Sequence, residues 1–239
     1  MNSNTALRHS IHAALERDAV VNLHAASIGI RVDGSEVLLE GEVPEIGAKR
    51  RAFFDALGVE GVSAVEDRLR ITVTNGQGEA RLRDAVVEAL YGEPVFRRTT
   101  VFAKRAGGGE SAQAQDGGLI EVSATGGVVR LDGRVPSLTH RRFAEVLAWW
   151  IPGTADVDNR LHVEPPEDDS DGEITDAVTM VLEKDPMIEA SQVRVTVRER
   201  QVTLEGVVRT ESQRQRVARD AWYVLGVHEV INRIRVGPA

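Results

Sequence analysis

Apolar residues recur along the chain in three blocks that share one order of periodicities. Each block begins with apolar residues three and four apart, the spacing of one buried helix face. This spacing appears at Leu7, Ile11, Ala14 and Leu15, and it starts again at Leu82 and at Ile174. Alternation of apolar and polar residues follows, which is typical of strands with one buried side. The pattern therefore predicts three copies of one small unit.

Two glycines recur at fixed positions in every copy. A first glycine lies in the second predicted strand, and another glycine follows 20 residues later. The first favours a bulge or a close backbone approach, and the second suits the left-handed residue that ends a helix. Both are therefore predicted to have structural roles. The pairs are Gly41 and Gly61, Gly133 and Gly153, and Gly206 and Gly226.

Within each copy, a helix, a hairpin, a second helix and a third strand follow one another. Second helices are predicted at about 47–57, 139–150 and 212–224, and third strands at 68–73, 160–163 and 233–236. The predicted fold class is α+β, with three tandem α-β-β-α-β modules. Each module has a small three-stranded mixed sheet with two helices packed on one face. A parallel pairing of the last two strands would require a right-handed crossover.

The predicted modules cover residues 1–74, 75–165 and 171–239. The second contains an insertion at about 104–118, interpreted either as a disordered loop or as a hairpin extension with residues 99–103 as one arm. An acidic, proline-bearing join at 164–173 is expected to be extended, mobile and solvated.

Composition narrows the classes of function. The net charge is −8, which argues against a nucleic-acid partner because phosphate binding needs a concentrated positive field. There is no cysteine, and no apolar run reaches the roughly 20 residues of a transmembrane helix. The first residues lack the features of a secretory signal, so the expected location is cytoplasmic.

No pattern predicts catalysis, a cofactor or a metal site. His9 and His12 lie one helical turn apart, but a third ligand is missing from the pattern, so they are interpreted as surface residues. Nucleophile–base spacings, phosphate-binding loops and dinucleotide motifs are also missing. The chain is therefore predicted not to be an enzyme.

The second helix of the middle module carries an apolar stripe that its counterparts lack. Phe143, Val146, Leu147 and Trp150 form this stripe, while most of the matching residues in the other modules are polar. A helix that is apolar on two faces must bury both. One interpretation is packing against a neighbouring module or a second chain, as in a homo-oligomer. The other is a membrane or partner surface, in which Trp150 lies at the lipid interface.

Basic residues open the same helix. Arg141 and Arg142 could meet phosphate headgroups beside the apolar stripe. The alternative is a solvated face that pairs with nearby acidic residues. The four residues of the stripe and the two arginines together form the candidate lipid- or partner-contact site.

The repeated motifs resemble the BON domain. A strand ending in the pattern V-x-L-x-G-x-V is followed by a helix rich in Arg and Ala, a glycine turn and a final N-x-L/I strand. The motif covers 37–43, 129–135 and 202–208, with Asn159 and Leu161, and Asn232 and Ile234, in the final strands. The resemblance implies a binding module. Proteins with this domain include osmotic-stress periplasmic proteins, lipoproteins that bind anionic phospholipid, and a cytoplasmic potassium-binding protein.

Two functional hypotheses follow. The favoured one is a non-enzymatic binding or scaffold protein of the stress-response type, whose modules contact phospholipid or protein partners. The alternative, based on the resemblance, is a cytoplasmic module that responds to potassium or another cation.

Overall fold

A computed structural model of the chain describes residues 3–23, 26–74, 76, 78–104 and 117–237. These residues form two compact units, Met1–Thr72 and Val73–Ala239. The first contains one module, and the second contains the other two.

The first unit folds around an aliphatic core that the predicted helix faces supply. Its elements are α1 (Ser3–Arg17), β1 (Ser27–Asp33), β2 (Glu36–Val43), α2 (Ile46–Leu57) and β3 (Ala64–Ile71). β1 pairs antiparallel with β2, and β2 pairs parallel with β3. Ile11, Leu15, Leu39, Ala52 and Leu69 are buried in this core.

The second unit begins with the middle module. It comprises α3 (Glu79–Gly92), a short 3-10 helix (Pro94–Phe96), β4 (Thr100–Ala103), β5 (Leu119–Thr125), β6 (Val128–Val135), α4 (Leu138–Trp150) and β7 (Asp156–Val163). Its sheet has the order β4-β5-β6-β7.

The last module completes the second unit. It comprises α5 (Asp171–Lys184), a 3-10 turn (Ala190–Gln192), β8 (Val193–Arg198), β9 (Gln201–Val208), α6 (Glu211–Tyr223) and β10 (Glu229–Val236). β8 pairs antiparallel and β10 pairs parallel with the central strand β9.

The predicted fold class is confirmed, with one addition in the middle module. Its sheet has four strands instead of three, because β4 joins the edge. β4 runs parallel to β5, so residues 99–103 are not one arm of a hairpin. Residues 105–116 of the predicted insertion lie outside the described residues. The last strand of each module also begins four residues before its predicted start, since its first half is only partly buried.

The second glycine of each module does not end a helix as predicted. In the first unit, α2 is capped by Gly58 in a right-handed conformation. Gly61 follows in the turn to β3, where its φ is 95°. A left-handed residue is therefore needed in the connecting turn, after the helix has ended.

A polar side chain in the last strand of each module bonds the second helix of that module. In the third module, the Asn232 amide donates to the Arg214 carbonyl at 2.9 Å and accepts from the Ile234 amide at 3.1 Å. Asn159 makes the equivalent bonds in the middle module. The first module has Asp67 there, and the Lys49 ammonium, 3.0 Å from its carboxylate, makes the link instead.

Replacing Asn232 with alanine is expected to lower the free energy of unfolding by about 1–2 kcal/mol, because two half-buried backbone groups lose a partner. Urea denaturation of the full chain measures the loss. Gln215→Ala, on the exposed side of α6, is the control and should change stability by less than about 0.5 kcal/mol. Equal effects of the two substitutions would show that the Asn232 side-chain bonds contribute nothing to the free energy of unfolding.

Candidate functional site

The apolar stripe of α4 lies inside the second unit. Phe143 and Val146 are 0% exposed, Leu147 is 4% exposed, and Trp150 is half-buried. α4 contacts α3 of its own module and both α5 and α6 of the next module. The residues that the pattern singled out therefore lie where two modules meet.

The stripe is largely buried. Three of its four side chains have almost no exposed surface, and α4 packs against α3 of its own module and against α5 and α6 of the next module. The lipid- or partner-contact role of these residues stays a prediction.

Aromatic contacts continue from α4 in both directions. Phe143 stacks on Phe96 of its own module, with ring centroids 6.2 Å apart. Trp149 stacks on Tyr223 of α6 at 5.7 Å. Trp150 meets Phe143 edge-on at 6.4 Å. The Trp149–Tyr223 pair crosses the boundary between the modules, whereas the other two contacts join rings of the middle module.

A polar cluster lies beside Trp150. The Trp150 indole N–H donates to the Asp220 carboxyl at 3.2 Å. Asp220 is 2% exposed, and the Asp185 carboxylate near it accepts a hydrogen bond from Arg216. A cavity of about 300 Å³ adjoins the cluster, and both tryptophans, Pro186 and Tyr223 help to line it. An indole from the preceding module thus bonds one oxygen of this buried acid.

The two carboxyls of the cluster are shifted in opposite directions. Burial, followed by the neighbouring Asp185 carboxylate, raises the pKa of Asp220 to about 8. Burial alone would also raise the pKa of Asp185, but the hydrogen bonds from Arg216 and Asp220 lower it. At neutral pH Asp220 is therefore the protonated partner and Asp185 the charged one.

The free energy of unfolding is expected to fall as the pH rises from about 6 to about 9. The folded state holds the Asp220 proton more tightly than the unfolded state does. The stabilisation from this proton is therefore complete below about pH 4, the pKa of the carboxyl in the unfolded state, and is lost as the pH rises through about 8, its pKa in the folded state. Urea denaturation across this range measures the fall.

Asp220→Asn should remove most of this pH dependence, because the amide is neutral and its oxygen can still accept from the indole. Asp176→Asn, an exposed change on α5, should leave the dependence intact. A wild-type stability that is flat from about pH 6 to about 9 would contradict the assignment of the shared proton.

Arg142 joins the same boundary from the other end of α4. It is 2% exposed, and its Nε donates to the Leu225 carbonyl at 2.9 Å. Its terminal nitrogen also bonds Asp169, which in turn pairs with Arg200 at 3.0 Å. Arg142 is thus committed to protein partners, whereas Arg141 is half-buried. The predicted headgroup role of this basic pair stays a prediction.

The acidic join is anchored, although residues 164–170 are exposed as predicted. Residues 171–173, which were expected to be extended, begin α5 instead. Besides Asp169, the Glu167 carboxylate of the join accepts from the Leu138 amide at the start of α4 at 2.7 Å. A further bridge between the modules, Lys184 to Glu93 at 2.7 Å, lies outside the join. The sequence pattern did not reveal these pairings, because each partner is distant in sequence.

In the part of the chain that the structure describes, no three His, Asp or Glu side chains are grouped closely enough to bind a metal ion. None of the helices in the described ranges has the length and apolar character needed to cross a bilayer.

Comparison with known proteins identifies the repeated unit. The family described as BON domain matches residues 3–73, 110–165 and 170–238. Two solved structures of CdsD, a structural protein of the type III secretion system of Chlamydia trachomatis, are each 13% identical to this chain, with TM-scores of 0.26. The alignment with the CdsD C-terminal domain covers 97% of this chain and 98% of that domain. The alignment with the other CdsD structure covers 98% of this chain and 93% of the CdsD chain. No curated protein sequence matches the chain.

Proposed function

Because the chain belongs to the BON domain family, we propose that it is a non-enzymatic scaffold that binds partner proteins. Its second and third modules form one fixed body, and the outer surfaces of the modules carry the binding sites. This proposal retains the binding role expected from the sequence and chooses protein over phospholipid as the partner.

The interface of α4 is the observation that carries the proposal. Trp150, Arg142 and Lys184 each bond a residue of a different module or of the join between modules. Such directional bonds hold two modules in one orientation, since each has a specific geometry to satisfy. A fixed orientation of repeated modules is what a scaffold needs to present several surfaces together.

Burial of α4 also weakens the case for a phospholipid partner. Association with phospholipid is known only at the level of the BON family, and three of the four apolar residues of the α4 stripe have almost no exposed surface. Insertion of an amphipathic helix depends on an exposed apolar face. The potassium-responsive alternative stays a prediction.

Vesicle flotation tests the choice of partner. The full chain is mixed at low salt with neutral phosphatidylcholine vesicles and with vesicles that contain about one third phosphatidylglycerol. The scaffold proposal expects the chain to remain in the soluble fraction with both, and its tryptophan emission to be unchanged. Flotation with the anionic vesicles would overturn the proposal in favour of a membrane adaptor.

A further inference from the structure

One edge of the middle sheet is filled by a strand that has no counterpart among the described residues of the other modules. β4 pairs parallel with β5, so that Val101 lies beside Ile120 and Ala103 beside Val122. Val101 is 1% exposed, and Ile120 and Val122 are fully buried. The Tyr91 hydroxyl at the end of α3 donates to the Val101 carbonyl at 2.5 Å. An extended segment is thus held between the first helix and the edge of the sheet.

The same edge of the first module has no such strand among the residues described. β1 is the outer strand of its sheet. Ile28 pairs with Gly41 as Ile120 pairs with Gly133, so Ile28 and Ile30 correspond to the two residues that β4 buries. Here both are only half-buried. The apolar surface that β4 covers in one module is therefore partly open in the other.

An open groove runs between α1 and this edge. It encloses about 450 Å³ and is lined by the two isoleucines together with Arg8, His9 and His12. His12 also lies 3.5 Å from Glu16 on the same helix. The floor of the groove is apolar, and its rim carries one permanent positive charge and two imidazole rings.

We propose that the edge of β1 binds an extended segment of a partner protein, added parallel to β1 in the position that β4 occupies beside β5. The segment carries an apolar residue at the place of Val101 and acidic residues on either side. Backbone hydrogen bonds to an edge strand supply affinity, and pockets for alternate side chains supply specificity. This inference rests on the proposed protein-binding function and names the class of partner.

Charge distinguishes this groove from its counterpart in the third module. The groove beside β8 encloses about 380 Å³, and Glu183 and Glu189 line it together with apolar residues such as Ile188. Opposite charges at the rim favour opposite partners. An acidic segment is therefore expected to choose β1 over β8.

Nuclear magnetic resonance titration of the full-length labelled chain tests the proposal. The probe is a synthetic peptide with the β4 sequence Thr-Val-Phe-Ala flanked by two glutamates on each side. Saturable shifts are expected at the amides of residues 27–30 and in α1. The amides of Ile120 and Val122 should stay unchanged, because β4 already occupies that edge.

Two controls separate strand pairing from general attraction. A peptide with N-methyl groups on its backbone should bind at least tenfold more weakly, because it cannot complete the pairing. Arg8→Glu should also weaken binding severalfold, whereas Arg17→Glu makes the same charge change on α1 outside this groove and should not. Absence of shifts at 27–30, or equal binding of the N-methylated peptide, would overturn the proposal.

Failure of this inference can be told apart from failure of the proposed function. Peptide titration reports only on the edge of β1, while vesicle flotation reports on the choice between protein and lipid. If the peptide does not bind and the chain does not float with vesicles, the binding site at β1 is ruled out while the proposed scaffold function stands.

Discussion

Gly41→Ala is expected to destabilise the first unit by at least about 4 kcal/mol. Gly41 has a φ of 122°, a conformation that side chains other than hydrogen rarely adopt. A Cβ built there would lie 1.8 Å from the Ser27 carbonyl oxygen, which belongs to the paired strand β1. The clash is with backbone, so relief requires β1 and β2 to separate.

Gly34→Ala is the matched control in the same hairpin. Its φ is 61°, and nothing lies within 4 Å of the added Cβ. Gly34→Ala should therefore lower the free energy of unfolding by only about 1 kcal/mol, the cost of a left-handed conformation for a residue with a Cβ. Hydrogen exchange of the β1 and β2 amides in the full chain measures both variants. A loss in Gly41→Ala no larger than in Gly34→Ala would show that close strand approach is not the reason for this glycine.

Arg142→Ala should lower the free energy of unfolding of the second unit by about 3 kcal/mol. The change removes a buried guanidinium and leaves the Leu225 carbonyl without its partner. It also releases the Asp169 carboxylate, which is about a third exposed and can recover some hydration. The expected loss therefore lies near the lower end of the range for broken buried ion pairs.

Arg141→Ala is the matched control because it removes the same charge from the next residue, which is only half-buried. It should cost less than about 1 kcal/mol. Urea denaturation measures both variants, and limited proteolysis should show faster cleavage in the 164–170 join of Arg142→Ala alone. Equal stability of the two variants would mean that Arg142 does not fasten the join to α4.

The repeated framework could be predicted because its causes are local. Helical spacing and strand alternation record which side of an element is buried, and the glycine of each second strand records a backbone conformation. The three copies repeat both signals, with first glycines at φ of 122°, 132° and 144°.

The partners of α4 could not be predicted in the same way. The stripe through Phe143 and Trp150 shows that a second face is buried, but it does not show what buries it. Arg142 had the appearance of a headgroup contact because its partners, Leu225 and Asp169, lie 83 and 27 residues away. The sequence pattern does not indicate contacts between residues that lie so far apart along the chain.

One signal of the polar cluster was present in the sequence but was not used. Asp185, Arg216 and Asp220 occupy the same positions in the third module as Asp18, Arg51 and Asp55 in the first. In the first unit Arg51 pairs with Asp18 at 2.6 Å. An acid–base–acid set repeated in two modules indicates a structural cluster, and alignment of the copies would have found it. Only the neighbour that covers it, Trp150, required the structure.

Burial of α4 between the second and third modules is tested most directly by the indole N–H of Trp150. In spectra of the full chain, assigned with Trp150→Phe, this proton should exchange slowly with solvent and show nuclear Overhauser contacts to Asp220. Rapid exchange of that proton, with no contact to any residue of α6, would contradict the interlocked arrangement of the two modules.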